Sequence, residues 1–146
     1  MDRKGDAPIP DDEVLYRRIH CSWITWEDGP ARPSSEAFKD RREGKLSVAV
    51  ACETSVRRLL RGRPEDSVIS FIAGDARSLG IRVERDFDPT NPGHAVLIPA
   101  PKGANARRLA QVSRWVKFRD PRSRGFKVKR WIRGIPSLLA SLRRRR

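Results

Sequence analysis

KLSVAVACETSVRRLLRG, residues 45–62, contains both of the periods from which the fold is read. Leu46, Val48 and Val50 alternate along a strand with one buried face. Thr54 then stands as an N-cap before SVRRLLRG, where Val56, Leu59 and Leu60 fall at helical spacing and Gly62 marks the end. A strand followed at once by a short helix predicts an α+β chain.

Both flanks extend the pattern. Downstream, SVISFIA (67–73) is an apolar run of strand length, although Asp66 or Ser67 is placed to cap a buried helix instead. IRVERD (81–86) turns Ile81 and Val83 inward, DPTNPG (88–93) is a turn cluster, and HAVLIPA (94–100) is a strand that Pro99 stops. Upstream, EVLYRRIHCSWITW (13–26) is rich in β-branched and aromatic residues and predicts one or two strands. EDGPARPSS (27–35) reads as a loop, after which Ser34 or Ser35 is expected to cap a short helix, EAFKDRR. Residues 1–12 carry four aspartates among Pro8 and Pro10 and read as a flexible leader. The expectation is an α+β domain over 13–118, with a small mixed sheet of four to five short strands and two to three helices. A basic C-terminal helical tail over 119–146 completes it.

Charge is distributed very unevenly. Residues 101–146 hold 16 of the 32 Lys and Arg but one of the 18 Asp and Glu (Asp120), a net +15 against −1 for residues 1–100. A near-neutral body with a cationic end suits a polyanion. NARRLAQVSRWVK (105–117) predicts a helix capped by Asn105, with Leu109, Val112 and Val116 on its docking face and Arg107 and Arg114 projecting outward. Pro121 and Gly125 break the chain over 119–125. In FKVKRWIRGIPSLLASLRRRR (126–146), Val128, Ile132, Ile135, Leu138, Leu139 and Leu142 form one stripe, with Lys129, Arg130 and Arg133 on the other side. Pro136 would cost an unbroken helix ~3 kcal/mol, so two short helices are expected.

Phosphate contacts are expected from Arg107, Arg108, Arg114, Lys117, Arg119, Arg122, Arg124, Lys127, Lys129, Arg130 and Arg133. Trp131 or Phe126 is available for stacking on unpaired bases. The primary reading is therefore a nucleic-acid-binding accessory protein with largely sequence-independent contacts to DNA or RNA, working with a protein partner in a nucleoprotein complex. The alternative is a peripheral protein held at an anionic membrane surface by the basic amphipathic tail.

No catalytic, cofactor or metal pattern stands out. Two histidines and two cysteines, His20–Cys21, Cys52 and His94, match no zinc spacing. His94 opens a strand, where a structural hydrogen bond is expected, and Cys52 reads as a buried, inert thiol. Asp75, Glu84, Asp86 and Asp88 are expected to be solvated or paired with Arg77, Arg82 and Arg85 rather than to hold a metal. The first ten residues contain no apolar signal core and no apolar run approaches the ~20 residues of a spanning helix, so a reduced, cytoplasmic protein is expected.

LYRRI (15–19), RPSSEAFK (32–39), LSVAVA (46–51) and NPGHAVLIP (91–99) resemble a group of small bacterial proteins sharing an LYRR start, an SSxAF element, an LSV strand and an HAxV strand before a basic helix. The resemblance covers about 15–117 and implies a bacterial domain without implying an activity. The order of Arg17, of Ser34 and Ser35, and of Glu53 is also similar to that of NAD-consuming ADP-ribosyl-transfer domains, which ranks an enzyme of that kind third.

Overall fold

The alternating segments become strands in the computed structural model, which describes residues 7–27, 29–39 and 44–123. In chain order these are β1 (Val14–Ile19), β2 (Ile24–Thr25), β3 (Arg32–Pro33), β4 (Leu46–Val50), β5 (Ser67–Ile72), β6 (Arg82–Arg85), β7 (His94–Ile98) and β8 (Arg114–Lys117). The helices are α1 (Val56–Leu59), α2 (Ala73–Arg77) and α3 (Gly103–Val112). Six strands form one sheet in the order β6-β7-β4-β1-β5-β8, and β2 and β3 pair as a separate ribbon. The fold is α+β, as expected. The main sheet is antiparallel at every pairing rather than mixed, because β4 and β5, which run the same way, are held apart by β1.

Cross-strand partners share a face of a sheet. Leu15 pairs with Val50 and Phe71, Val48 with Ala95, and Leu97 with both Leu46 and Val83. This is the core face. α3 covers it with Ala106, Leu109 and Ala110, and the 3-10 turn Ser35–Phe38 adds Ala37 and Phe38. The Phe38 and Phe71 rings meet edge to face, 5.7 Å between centroids. The opposite face carries Tyr16, Ala49, His94, Ser70 and Arg114, by the same register.

Several elements differ from the sequence expectation. The helix predicted over 105–117 starts earlier, at Gly103 after Lys102 in the N-cap position, and stops at Val112. Ser113 bonds the Leu109 carbonyl through Oγ at 2.6 Å, its backbone turns extended, and residues 114–117 become the edge strand β8. Trp115 and Val116 fit either period; the open edge of β5 decides, and Trp115 gains a partner for its indole N–H in the Ala31 carbonyl at 2.9 Å. Arg107 and Arg114 therefore do not share a helix face.

Before α1 the cap is Ser55, whose Oγ accepts from the Arg58 N–H at 3.1 Å, not Thr54, which lies one residue too early. The described part of EAFKDRR, residues 36–39, belongs to or directly follows the 3-10 turn Ser35–Phe38, and Ser34 makes no cap bond there. Residues 67–72 are strand, so neither Asp66 nor Ser67 caps a helix. α2 was not expected. It begins where the Ile72 N–H donates to the Asp75 carboxylate at 3.1 Å, and Gly80, at φ +75°, turns the chain back toward β6.

The described part of the leader, residues 7–12, packs against the body. Ile9 is 3% exposed and belongs to the core. The Ala7 carbonyl accepts from Arg85 Nε at 2.7 Å, and Asp11 pairs with Arg77 at 2.7 Å. The boundary segment 119–125 is described as far as Ser123, where the Asp120 carbonyl accepts from the Ser123 N–H. The expected tail helices and their break at Pro136 lie outside the described residues. Among the described residues no helix is long and apolar enough to cross a membrane.

Candidate functional site

At the centre of the sheet, β1 and β4 pair only at Leu15–Val50 and Tyr16–Ala49. Beyond Tyr16 a side chain takes over the bonding. Arg17 donates from Nη1 to the Ser47 carbonyl at 2.7 Å and from Nε to the Ala37 carbonyl at 2.6 Å, with its guanidinium 5.8 Å from the centre of the Trp23 ring. The chain leaving β4 must cross β1 to reach β5, and it does so through α1 on the face opposite α3. A cleft of about 650 Å³ lies beneath this crossing. Tyr16, Arg18, Ser47, Ala49 and His94 line it from the sheet. Arg58, Leu59, Arg61, Arg63 and Asp66 line it from the crossing, and His20, Trp23 and the turn Asp88–Asn91 close its ends.

Cations dominate the lining: Arg17, Arg18, Arg58, Arg61 and Arg63 against Asp66 and Asp88. Asp88 is engaged within its own turn. Its Oδ1 accepts from the Thr90 N–H at 2.9 Å and from Thr90 Oγ1 at 2.8 Å, which holds its carboxyl below the usual range. Asp66 is 2% exposed, and burial pushes its carboxyl above the usual range while Arg18 pulls it back. Arg18 Nε lies 3.3 Å from Asp66 Oδ2; Oδ1 is buried and has no hydrogen-bond partner among the described residues. Arg58 and Arg61 are exposed, and among the described residues their side chains have no hydrogen-bond or ion-pair partner.

His94 is held as its place in the sequence predicts. Nδ1 lies 3.1 Å from the Asp86 carbonyl and Nε2 lies 3.2 Å from Ser47 Oγ. Arg17 and His94 thus line one cleft, but Glu53 is elsewhere, paired with Arg85. Arg17, His94 and Glu53 therefore do not converge in one cleft. Cys52 is exposed rather than buried, and its thiol donates to Glu13 Oε1 at 3.1 Å. Arg82 pairs with Glu84 at 3.1 Å, whereas Asp75 binds the Ile72 N–H, and the described residues contain no cluster fit to hold a metal.

The expected phosphate-binding residues separate into groups. Arg107 and Arg108 are exposed on α3, in the layer that covers the core face. Arg114 and Lys117 are exposed on β8 and belong to the cleft's face: Ser70 pairs with both Tyr16 and Arg114, and Val68 with both Arg18 and Lys117. A register shift between Val68 and Ile69 brings Lys117 into the row of Arg18. Two strand spacings, about 10 Å, separate each pair across β5. Arg119 is exposed, and its N–H donates to Ser67 Oγ at 2.9 Å. Arg122 lies 4.0 Å over the Trp26 ring and 3.3 Å from Asp120. Arg124, Phe126, Lys127, Lys129, Arg130, Trp131 and Arg133 lie outside the described residues.

Sequence reasoning did not single out Arg18, Arg58, Arg61 or Arg63. The signal is present in RRLLRGR (57–63), a run with four arginines whose helical spacing is more conspicuous than its charge. Comparison with protein families, with curated proteins and with solved structures finds no match to this chain.

Proposed function

We propose that the protein binds nucleic acid through the sheet face that carries the cleft and β8, making phosphate contacts that are largely independent of sequence. The observation that carries this reading is the convergence of unpartnered cations. Arg58 and Arg61 overhang the cleft, and Arg114 and Lys117 continue the same face across β5. Like charges gathered in excess over their counter-charges repel one another, and a polyanion relieves that repulsion while releasing its own counterions. The basic residues 124–146 follow directly on this region in sequence and would extend the contact. Arg107 and Arg108, on the other layer, would contribute to long-range attraction more than to the docked contact.

The test is a fluorescence-polarisation titration of labelled RNA, single-stranded DNA and duplex over a salt series. Affinity should fall steeply as salt rises, and the double variant Arg58→Ala/Arg61→Ala should flatten the slope of log K against log salt by about 1.5. Binding that barely changes between low and moderate salt would sink the reading.

A further inference from the structure

We propose that the cleft takes a single unpaired nucleotide unit, with its phosphate on Arg58 and Arg61 and its base against Tyr16 and Trp23. This inference rests on the nucleic-acid reading and deepens it. Docking on the outside of a duplex needs exposed cations but no concavity. A cleft of about 650 Å³ is instead of the size that encloses a small organic ligand.

Its lining is also wrong for phosphate alone. Asp66 contributes a buried carboxylate to the wall, and a carboxylate repels phosphate. Arg18 lies against one of its oxygens, and the other, Oδ1, is buried out of a ligand's reach, so the carboxylate acts on the cleft through its charge alone. Tyr16 and Trp23 add aromatic surface to the same lining, of a kind on which an unpaired base stacks. In a duplex the base edges and faces are already engaged, so these features select a single strand or a strand end.

The experiment uses the full chain at fixed moderate salt. A labelled single strand is competed with a nucleoside 5′-monophosphate, with inorganic phosphate and with a blunt duplex of the same sequence. The monophosphate should displace the strand at a concentration about tenfold lower than inorganic phosphate does, and the duplex should compete about tenfold less well than unlabelled single strand. Trp23→Ala should abolish the monophosphate's advantage over phosphate while leaving phosphate competition unchanged, a result that a plain anion site would not give. Arg58→Ala/Arg61→Ala, at exposed positions, should weaken both competitors with an unchanged melting temperature. Equal binding of duplex and single strand, with no advantage for the monophosphate, would overturn the nucleotide cleft and leave the nucleic-acid reading standing. Failure of every polynucleotide to bind at low salt would overturn the reading on which it rests.

Discussion

Arg17 Nη1 donates to the Ser47 carbonyl at 2.7 Å across the gap where β1 leaves β4, so a guanidinium continues what the backbone ladder stops doing. The same side chain reaches the Ala37 carbonyl and ties the sheet to the 3-10 turn beneath it. Arg17→Met should therefore lower stability by about 2–3 kcal/mol, since two carbonyls lose a charged donor. Urea denaturation measures this. Arg17→Lys should recover less than half of the loss, because a compact ammonium cannot span two acceptors as a planar fork does.

Leu109 fixes α3 to the core face and is fully buried. Leu109→Ala should cost about 3 kcal/mol, combining lost burial with the cavity left behind. Arg107, two residues away and exposed, should change stability by less than about 0.5 kcal/mol when replaced by alanine. The contrast in urea midpoints checks the assignment of the helix faces.

The folded chain holds the Asp66 proton more tightly than the unfolded chain, because burial raises its carboxyl above the ordinary value. More protons bound in the folded state means that this group's contribution to stability improves as pH falls through the window between the raised value and the unfolded value of about 3.9. Asp66→Asn should remove that contribution and make the acid-side stability profile fall more steeply than in the parent chain. Urea midpoints from pH 7 down to pH 4 would show it; parallel profiles would contradict it.

Cys52 is exposed, yet Glu13 holds its proton, and that hydrogen bond with its charge raises the thiol above its ordinary value. Alkylation by iodoacetamide at pH 8 should be several-fold slower than for the unfolded chain. Glu13→Gln should speed it, since the charge that disfavours thiolate is gone. Mass spectrometry of the modified peptide over time reads both rates.

Strand positions were largely legible because burial on one face imposes a period of two, visible in Leu46, Val48 and Val50 and in Ile81 and Val83. Elements without their own periodicity were not. α2 is five residues long and is set by Asp75 and Gly80, and β8 depends on an open edge supplied by β5, far earlier in the chain. The cleft was less legible still. Arg18, Arg58 and His94 come together only because β1 lies beside β4, β4 beside β7, and the chain crosses over all of them on one side. Net charge indicated a polyanion and drew attention to the C-terminal third, whereas the concave part of the cationic surface is built from the near-neutral body.

The short β1–β4 pairing divides the sheet into two slabs, β6-β7-β4 and β1-β5-β8, joined along a seam at the middle. Backbone amides along such a seam are the ones a brief parting of the slabs would expose to exchange. The cleft straddles it, with Ser47 and His94 on one slab and Tyr16 and Arg18 on the other. Anything that fills the cleft therefore acts as a clasp. Its occupancy would register as slower exchange along the whole seam, at amides it never touches.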